Sequence, residues 1–382
     1  MFIKPRIILL SPYLPTGDAG ACSRKIYDCL KVLTKNNYKI HLFSFCSQRD
    51  KPKANSLKQF CTSFYLEYLP TYTRYPLSCP HLSLRIKNIC RERSVDILQC
   101  ENSYLTRYLP SRLDIPFILV EHEVLSESFA ERARYESNFL EKQIVSLRSI
   151  KKRAEERRWY KRFKKIVVFS KHDEKIIEDN YKIKATEVIP LGIDLDGYNT
   201  FLLQEKNYDL LFVGSFSHMA NVDGINYFYR HIHQLIKKEF QSFKVVFCGV
   251  KPPQEILQLA SLDKSIVVTG YVDDVREYYA KSKVAIAPIR YGTGMRYKIL
   301  EAMAAGMPVV TTSVGARGIE SKNICIADTP EEFADAVMHL LKNPQERSEI
   351  AEKARSDVEQ YSWDSLMPRY EAVYRTLMEK DG

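Results

Sequence analysis

The sequence predicts an α/β protein built from two doubly wound parallel sheets, with helices on both faces of each. Its 382 residues suit two domains of ordinary size, and its hydrophobic (45%) and charged (27%) fractions are those of a folded protein. Short apolar or β-branched runs alternate with helical segments along the chain. A stretch containing Pro and Gly at 190–199 interrupts this alternation, which then restarts, so we place the domain boundary there.

The predicted strands of the first half are 6–10, 38–45, 97–100, 117–121 and 166–169. Those of the second half are 210–213, 244–248, 266–269, 284–287, 309–312 and 324–327. Ligands of doubly wound sheets bind outside the carboxyl ends of the strands. We therefore expect ligands to lie in a cleft between the two domains.

Composition narrows the class of protein. The net charge is +10, and nine cysteines are scattered without a C-x-x-C pair or a Cys/His cluster of zinc spacing, so we expect reduced, space-filling thiols. No run of eighteen apolar residues predicts a spanning helix, and the apolar core of MFIKPRIILLSPYLP is too short for a signal peptide. The expected location is the cytoplasm, with a possible peripheral association at the inner face of the membrane.

The most informative segment is 291–312, YGTGMRYKILEAMAAGMPVVTT, which predicts a loop, a short helix and a buried strand. Gly292 and Gly294 would let the loop backbone approach a ligand closely, and the helix would direct its first N–H groups at an anion. Arg296 and Lys298 add two cations at the same place. This combination is typical of a site for a nucleotide diphosphate.

The rest of this segment supplies one carboxylate and the end of the helix. Glu301 follows Lys298 by about one turn, so it could accept hydrogen bonds from ribose hydroxyls. Gly306 fits the left-handed cap position, and Pro308 prevents the helix from continuing. A glycine loop alone is a weak signal, because a plain turn before a helix has the same composition.

Five further motifs occur in order along the chain. They are a strand with a glycine-containing loop at 7–20, VVFSKHDEKII at 167–177, VIPLGID at 188–194, LLFVGSFSHMANVDGINYF at 210–228 and VVTGYVDDVREYYAKSKVAIAPI at 267–289. Together with the segment 291–312, this order resembles the GT-B glycosyltransferases. It is most similar to the family 4-like, group 1 subgroup with the donor motif GTGxRxKxLEAMAAG, and the resemblance covers nearly the whole chain.

The resemblance implies two Rossmann-like domains that face a cleft. Residues 1–195 would bind the acceptor, 196–362 would bind the nucleotide sugar, and the helix 363–382 would pack back on the first domain. Arg296 and Lys298 would act catalytically by stabilising the departing diphosphate without a metal or other cofactor. The residues implied to bind the nucleotide sugar are Gly20, Ser215, His218, Asn221, Tyr271, Val272, Gly292, Thr293, Gly294, Met295 and Glu301.

Two positions depart from the family pattern. Relatives commonly carry two glutamates eight positions apart, whereas the earlier position is Thr293 here, which leaves open which sugar is bound and how. Many relatives also place Arg or Lys in the segment 217–221, where this chain has His218 and Asn221. Phosphate binding should therefore depend on Arg296, Lys298 and backbone amides.

The loop 12–21 follows the first predicted strand. By position it resembles the glycine loop that approaches the donor phosphates and the acceptor in this family. Gly17 and Gly20 could direct backbone amides at a phosphate or at the sugar, although a plain turn with Ser23 as helix cap fits equally. Asp18 could contact an acceptor hydroxyl or be an exposed turn residue.

His122 lies in VEHE, at the end of a predicted strand, where related enzymes carry a histidine near the donor sugar. It is a candidate general base or acid, a candidate contact for a sugar hydroxyl, or a structural histidine. A neighbouring carboxylate would raise its pKa. Glu121 and Glu123 lie on opposite sides of the extended chain from His122, so neither is automatically its partner.

Asp273 and Asp274 are adjacent in a loop, and we expect them to start the helix that follows rather than to bind a metal ion. The backbone near Tyr271 and Val272 is where the family binds the base. No side chain there identifies which base.

The polar segment 127–165 ends in RSIKKRAEERRWYKRFKK, which has ten Lys or Arg and two Glu between Arg148 and Lys165. Three interpretations stay open: a solvated helix face, a patch for an anionic membrane surface with aromatic rings at headgroup level, or a nucleic-acid surface. No reader motif accompanies the charge, so we expect no nucleic-acid partner. The apolar residues interleaved with the cations are Ile150, Ala154, Trp159, Tyr160 and Phe163.

The sequence therefore predicts an enzyme that moves a sugar from a nucleotide-diphosphate sugar to a glycan, lipid-linked or small-molecule acceptor, as in polysaccharide biosynthesis. The resemblance implies retention of anomeric configuration. Alternatives on the same scaffold are a nucleotide-sugar epimerase and a non-catalytic nucleotide-binding scaffold, and intact Arg296, Lys298 and Glu301 argue against the second. The base, sugar, acceptor, linkage and oligomeric state stay open.

Overall fold

The computed structural model describes residues 4–17, 21–48, 50–69, 80–111, 113–184, 186–201 and 205–379. The chain divides into two compact units. Unit 1 comprises Met1–Gly192 and Trp363–Gly382, and unit 2 comprises Ile193–Ser362. Within the described ranges, no helix is both long enough and apolar enough to cross a membrane.

Unit 1 contains a seven-stranded sheet in the order β3-β2-β1-β4-β5-β6-β7, and all of its strand pairs are parallel. Its strands are β1 (Arg6–Ser11), β2 (Lys39–Ser47), β3 (Ser63–Leu69), β4 (Ile97–Glu101), β5 (Phe117–Val120), β6 (Lys165–Val168) and β7 (Thr186–Val188). Its helices up to the boundary are α1 (Ala21–Lys35), α2 (Pro80–Glu92), α3 (Leu125–Tyr135), α4 (Phe139–Tyr160) and α5 (Lys171–Tyr181).

Unit 2 contains a six-stranded parallel sheet in the order β10-β9-β8-β11-β12-β13. Its strands are β8 (Tyr208–Val213), β9 (Val245–Cys248), β10 (Ile266–Gly270), β11 (Ser282–Ala287), β12 (Val309–Thr311) and β13 (Cys325–Ile326). Its helices are α6 (Met219–Tyr227), α7 (His233–Glu239), α8 (Gln254–Leu262), α9 (Arg276–Ala280), α10 (Tyr297–Ala304), α11 (Pro330–Lys342) and α12 (Pro344–Asp357).

The last helix, α13 (Trp363–Met378), belongs to unit 1. Its Tyr374 hydroxyl donates to Gln99 Oε1 of β4 at 2.7 Å, and its Glu371 accepts from Lys4 Nζ at 3.0 Å. The Trp363 ring packs so closely on Gly192 that a Cβ there would lie 2.6 Å from ring carbons. These contacts attach the chain end to the first sheet.

Both sheets share one strand order, in which the third, second and first strands are followed by the fourth, fifth and sixth. The order reverses between β1 and β4 in unit 1 and between β8 and β11 in unit 2. Loops diverge at such a reversal and leave a crevice at the carboxyl ends of the strands. Each unit therefore has one topologically favoured place for a ligand.

An observed strand overlaps every predicted one, and the structure adds the edge strands β3 and β7. The alternative in which Ser23 caps α1 was wrong. The helix begins at Ala21, and Ser23 Oγ instead accepts from the Thr16 amide at 2.9 Å and donates to the Leu14 carbonyl at 2.8 Å. Asp18 and Gly20 lie outside the described residues.

Candidate functional site

In unit 2, two loops leave the sheet where the strand order reverses. Gly214 and Ser215 follow β8, and the loop 288–296 follows β11. Gly249 lies against the first loop, since a Cβ on it would be 1.9 Å from the Gly214 carbonyl oxygen. Only glycine at position 249 permits this approach, so the two backbones form a close-packed floor beside the crevice.

Lys298 and Asn221 meet over this floor. Lys298 Nζ donates to Asn221 Oδ1 at 2.7 Å, and Asn221 Nδ2 donates to the Ser215 carbonyl at 2.7 Å. The ammonium lies 3.8 Å from the centroid of the Phe212 ring. A Cβ at Gly214 would lie 2.8 Å from Lys298 Nζ, so the glycine leaves the space that this amine occupies.

The charge of Lys298 is poorly compensated. Within the described chain, no carboxylate lies within 4.0 Å of its Nζ, and its hydrogen-bond partner is a neutral amide. Burial lowers the pKa of Lys298 well below its usual range, an effect that the Arg296 guanidinium reinforces and Glu301 opposes. An anion beside this amine would stabilise its charged form.

Arg296 hydrogen-bonds to the backbone of the loop that precedes α10. Its guanidinium donates to the carbonyls of Thr293 at 2.8 Å, Gly292 at 2.7 Å and Tyr291 at 3.3 Å. Gly292 and Gly294 have φ values of 107° and 79°, which side chains rarely adopt. Arg296 therefore fixes the conformation of the loop whose amides the sequence analysis assigned to the diphosphate.

The other residues of this segment are buried. Thr293 and Met295 are 1% and 8% exposed, and the helix α10 ends as predicted, with Gly306 at φ 60°. The amide of Gly306 donates to the Met303 carbonyl and that of Met307 to the Ala302 carbonyl, both at 3.0 Å, which is a Schellman cap.

Glu301 is 5% exposed, and tyrosine hydroxyls bind both of its oxygens. Tyr198 donates to Oε1 at 2.9 Å, and Tyr279 donates to Oε2 at 3.3 Å. The sequence analysis identified the glutamate but not these tyrosines. Because both oxygens are held from inside unit 2, the carboxylate has a fixed orientation.

The remaining predicted donor residues lie on neighbouring loops. His218 is exposed at the N-terminal cap position of α6, and its side chain makes no capping hydrogen bond. Tyr271, which follows β10, is 53% exposed, and Val272 is half-buried. Asp274 accepts from the amide of Arg276, the first residue of α9, at 2.9 Å, as expected of a residue that starts a helix.

In unit 1, His122 lies just beyond β5 and meets two residues that the sequence analysis missed. Its Nε2 lies 2.8 Å from Glu101 Oε2 and 3.0 Å from Lys25 Nζ. Lys25 also donates to Glu101 Oε2 at 3.1 Å, and its ammonium lies 4.3 Å from the centroid of the Phe169 ring. We call Lys25, Glu101 and His122 the unit 1 triad.

The unit 1 triad is almost fully buried, with side-chain exposures of 3% for Lys25, 1% for Glu101 and 9% for His122. Burial alone would raise the pKa of Glu101, but Lys25, His122 and Gln99 outweigh it and lower that pKa to about 2. Burial and then Lys25 lower the pKa of His122 to about 4, although Glu101 opposes them. The carboxylate partner thus acts in the expected direction, but burial and Lys25 outweigh it and the net pKa shift is downward.

The two glutamates beside His122 make other contacts. Glu121 Oε1 accepts from the Ser103 amide at 3.5 Å, and Glu123 Oε1 accepts from Ser128 Oγ at 2.5 Å. Burial raises the pKa of Glu121 to about 8, with a further contribution from Glu156. The carboxylate partner of His122 thus comes from the adjacent strand, β4, and not from its own segment.

Among the residues that the structure describes, no group of three or more His, Cys, Asp or Glu could hold a metal ion.

Solved structures share this architecture along the whole chain. Sucrose-phosphate synthase from Thermosynechococcus elongatus matches with a TM-score of 0.76 and 15% identity, over 97% of this chain and 99% of that one. HepE from Anabaena, in complex with UDP and glucose, matches with a TM-score of 0.66 and 14% identity, over 97% of this chain and 100% of that one. The two parallel Rossmann-like sheets therefore have the GT-B fold.

Two glycosyltransferase family models match different parts of the chain. Residues 23–196 match the model described as Glycosyltransferase Family 4, and residues 207–343 match the one described as Glycosyl transferases group 1. An uncharacterized glycosyltransferase of Methanocaldococcus jannaschii is 29% identical over 47% of this chain and 48% of that protein, so the match spans about half of this relative's length. Each unit thus resembles glycosyltransferases of group 1 or family 4, and neither model covers half of the chain.

Proposed function

We propose that the protein transfers a sugar from a nucleotide-diphosphate sugar to an acceptor hydroxyl. The observation that carries this proposal is the site around Lys298, where a half-buried amine with a neutral partner lies at the reversal of strand order in unit 2. A diphosphate would supply the negative charge that the described chain does not place there. HepE, which shares the fold, was crystallised with UDP and glucose.

The bond from the anomeric carbon to the phosphate breaks as positive charge develops on the sugar and negative charge on the diphosphate. Stabilising the leaving diphosphate is therefore the main contribution that the protein makes. Lys298 would supply the cation, and the loop that Arg296 holds would supply the amides of Gly294 and Met295. Glu301, oriented by the two tyrosines, would accept hydrogen bonds from the ribose hydroxyls.

No metal is needed for this scheme, because the cation and the amides already oppose the developing charge. We propose a retaining reaction in which the acceptor proton passes to the leaving phosphate. His122 would then contact a sugar hydroxyl in its neutral form, since a pKa of about 4 keeps the imidazole uncharged at neutral pH.

A thermal-shift panel tests the donor site. The full chain is heated with UDP, GDP, ADP, TDP and CMP, each with and without Mg²⁺. A ligand at a hundred times its Kd should add about 2.7 kcal/mol of stability. We expect a shift with one diphosphate that does not require Mg²⁺, and no shift with any nucleotide would contradict the proposal.

Turnover with the nucleotide sugar of the selected base separates the remaining alternatives. A transferase releases the diphosphate only when an acceptor is present or when water replaces it, whereas an epimerase changes the sugar and keeps the nucleotide bond. Glu301→Ala should abolish turnover or nucleotide affinity. Tyr198→Phe is the matched control, because it removes one hydrogen bond and leaves the carboxylate.

A further inference from the structure

Helix α4 exposes a row of large apolar side chains to solvent. They recur with helical spacing along its first half, opposite the buried positions Val145, Ser149 and Lys152. A globular helix normally turns such residues inward, so this row has no explanation in the packing of unit 1. We call it the α4 ridge, and its exposed fractions are Phe139 71%, Leu140 70%, Ile144 42%, Leu147 65% and Ile150 67%.

Exposed cations flank the α4 ridge. Lys142, Arg148, Lys151 and Arg158 are exposed, and within the described residues none has a carboxylate within 4.0 Å. Between Glu141 and Glu155 the sequence contains no acidic residue. The surface is therefore apolar along the first half of α4, with Lys142 and Arg148 beside the apolar row and Lys151 and Arg158 toward its C-terminal end.

The structure corrects the sequence-based view of this segment. Trp159, Tyr160 and Phe163 are only 9%, 0% and 7% exposed, so these aromatic residues belong to the core and cannot reach a membrane. Some of the cations already have hydrogen-bond partners within unit 1. Arg162, for example, donates to the Thr106 carbonyl at 3.1 Å. The exposed apolar surface instead begins earlier, at the N-terminal end of α4.

We propose that the α4 ridge docks on an anionic lipid surface, with its apolar side chains at the boundary between headgroups and acyl chains. Helix α4 has 22 residues and would be about 33 Å long, so its exposed apolar row could lie along the plane of the interface. Lys151 and Arg158 are placed to contact lipid phosphates. The proposal goes beyond sugar transfer and does not depend on it.

The charge and apolarity of the α4 ridge favour an anionic bilayer over a second copy of the chain or a nucleic acid. A second copy docked through the same surface would bring the cations of both ridges together, because a two-fold interface is self-complementary. A nucleic acid would pair with the cations but would leave five large apolar side chains against a phosphate backbone. An anionic bilayer is complementary to both parts of the surface.

Vesicle flotation of the full chain tests this proposal. The probes are vesicles of phosphatidylcholine alone and vesicles that also contain phosphatidylglycerol, at low and high salt. We expect flotation only with the anionic vesicles, weakened by salt. The double variant K151Q/R158Q should lower partitioning about 30-fold, and L147Q/I150Q by on the order of 100-fold.

Matched controls separate docking from general stickiness or misfolding. Leu84 and Leu262 are exposed apolar residues elsewhere, and Lys264 and Lys353 are exposed cations of unit 2, so L84Q/L262Q and K264Q/K353Q should float like wild type. Circular dichroism verifies that each variant is folded. The ridge variants should keep wild-type thermal stability, because their side chains make few contacts.

Four results would overturn the proposal: no flotation with either vesicle, equal flotation with neutral vesicles, equal loss in the control variants, or retained flotation of both ridge variants. Light scattering and RNA binding distinguish the other occupants. A wild-type dimer that L147Q/I150Q converts to a monomer would assign the α4 ridge to a second copy. RNA binding lost in K151Q/R158Q, without vesicle binding, would assign it to nucleic acid.

Discussion

Each unit places one lysine near the reversal of its strand order, and the two lysines differ in their partners. Lys25 donates to the carboxylate of Glu101 at 3.1 Å, whereas Lys298 donates to the amide oxygen of Asn221 at 2.7 Å. Both ammonium groups also lie over a phenylalanine ring, at 4.3 Å and 3.8 Å from the centroid. The two sites share the aromatic ring, but Lys25 is more deeply buried and has a charged partner, whereas Lys298 is half-buried and has a neutral one.

Lys25 therefore carries a charge that the protein itself neutralises, whereas the charge of Lys298 is available to a ligand. Glu101 neutralises Lys25, so the unit 1 triad is complete without any added group. The amine of Lys298 has no such partner within the described residues, and burial disfavours its charged form. Removing a lysine partner should therefore damage folding in unit 1, while removing the lysine itself should damage binding in unit 2.

The largest expected effect is that of Glu101→Ala. It leaves Lys25 buried without a counter-charge, and breaking a buried pair in this way costs about 3 to 5 kcal/mol. Urea unfolding measures the loss. Adding Lys25→Met to the same chain should recover part of it, because the uncompensated charge is gone. A loss below about 1 kcal/mol for Glu101→Ala would show that the pair is not the buried charge that the geometry indicates.

The pH dependence of stability tests the environment of His122. Its pKa is lowered from 6.5 to about 4, so between these values the unfolded chain binds a proton that the folded chain does not. Stability should therefore fall as the pH falls through this range, and the His122 contribution to that loss is about 3 kcal/mol. Urea unfolding at pH 7 and pH 4 gives the change.

The variant His122→Gln removes this contribution and serves as the reference. Acid destabilisation from other groups, including Glu101 with its pKa of about 2, is present in both proteins. Wild type should lose about 3 kcal/mol more than the variant between the two pH values. Equal losses would mean that His122 titrates near its ordinary pKa.

The fold could be predicted from the sequence because each buried strand is marked by a short run of neighbouring residues. The predicted strands contain apolar or β-branched runs such as LLFV before Gly214, and burial on both faces of a parallel sheet favours such runs. Edge strands lack this requirement. In β3 the burial is only partial and Glu67 is included, and β7 is three residues long, so neither gave a clear pattern.

The candidate site of unit 2 was predictable to the extent that it is contiguous. Gly292, Gly294, Arg296, Lys298 and Glu301 lie within ten residues, and one loop and one helix bring them together. The contact between Lys298 and Asn221 joins residues 77 positions apart, and the order of strands decides it. The sequence identified both residues without predicting their contact.

The unit 1 triad shows where the sequence failed. Its members lie on α1, β4 and the end of β5, and they meet only because β4 pairs with β1 and β5. One signal was present, since Glu101 ends the apolar run ILQC, as Glu121 ends FILV. Carboxylates that end neighbouring buried strands share one edge of the sheet, and this rule would have placed Glu101 beside His122.

A smaller effect is expected for Lys298→Met, and it falls on binding rather than folding. The variant should be within about 1 kcal/mol of wild-type stability, or above it, because it removes a half-buried amine with no counter-charge among the described residues. Affinity for the diphosphate that the thermal-shift panel selects should fall about 10- to 100-fold, the contribution of a charged hydrogen bond. Isothermal titration measures the affinity.

Lys283→Met is the matched control for this variant. Lys283 is a half-exposed lysine of the same unit, paired with Asp209 at 2.7 Å, and it should not affect the affinity. If Lys298→Met binds the diphosphate as wild type does, the contrast between the two lysines has no functional meaning.

The smallest effect is expected from Gly214→Ala, which displaces Lys298 without removing its charge. The added Cβ would lie 2.8 Å from Lys298 Nζ and 2.7 Å from Asn221 Nδ2, and both flexible side chains can move aside. Affinity should fall by about tenfold or less, between wild type and Lys298→Met. Gly318→Ala is the control for backbone effects: Gly318 has a φ of 82°, so alanine should cost about 1 kcal/mol of stability and leave the affinity unchanged. An affinity for Gly214→Ala equal to wild type would mean that the position of the amine, as opposed to its charge, does not matter for binding.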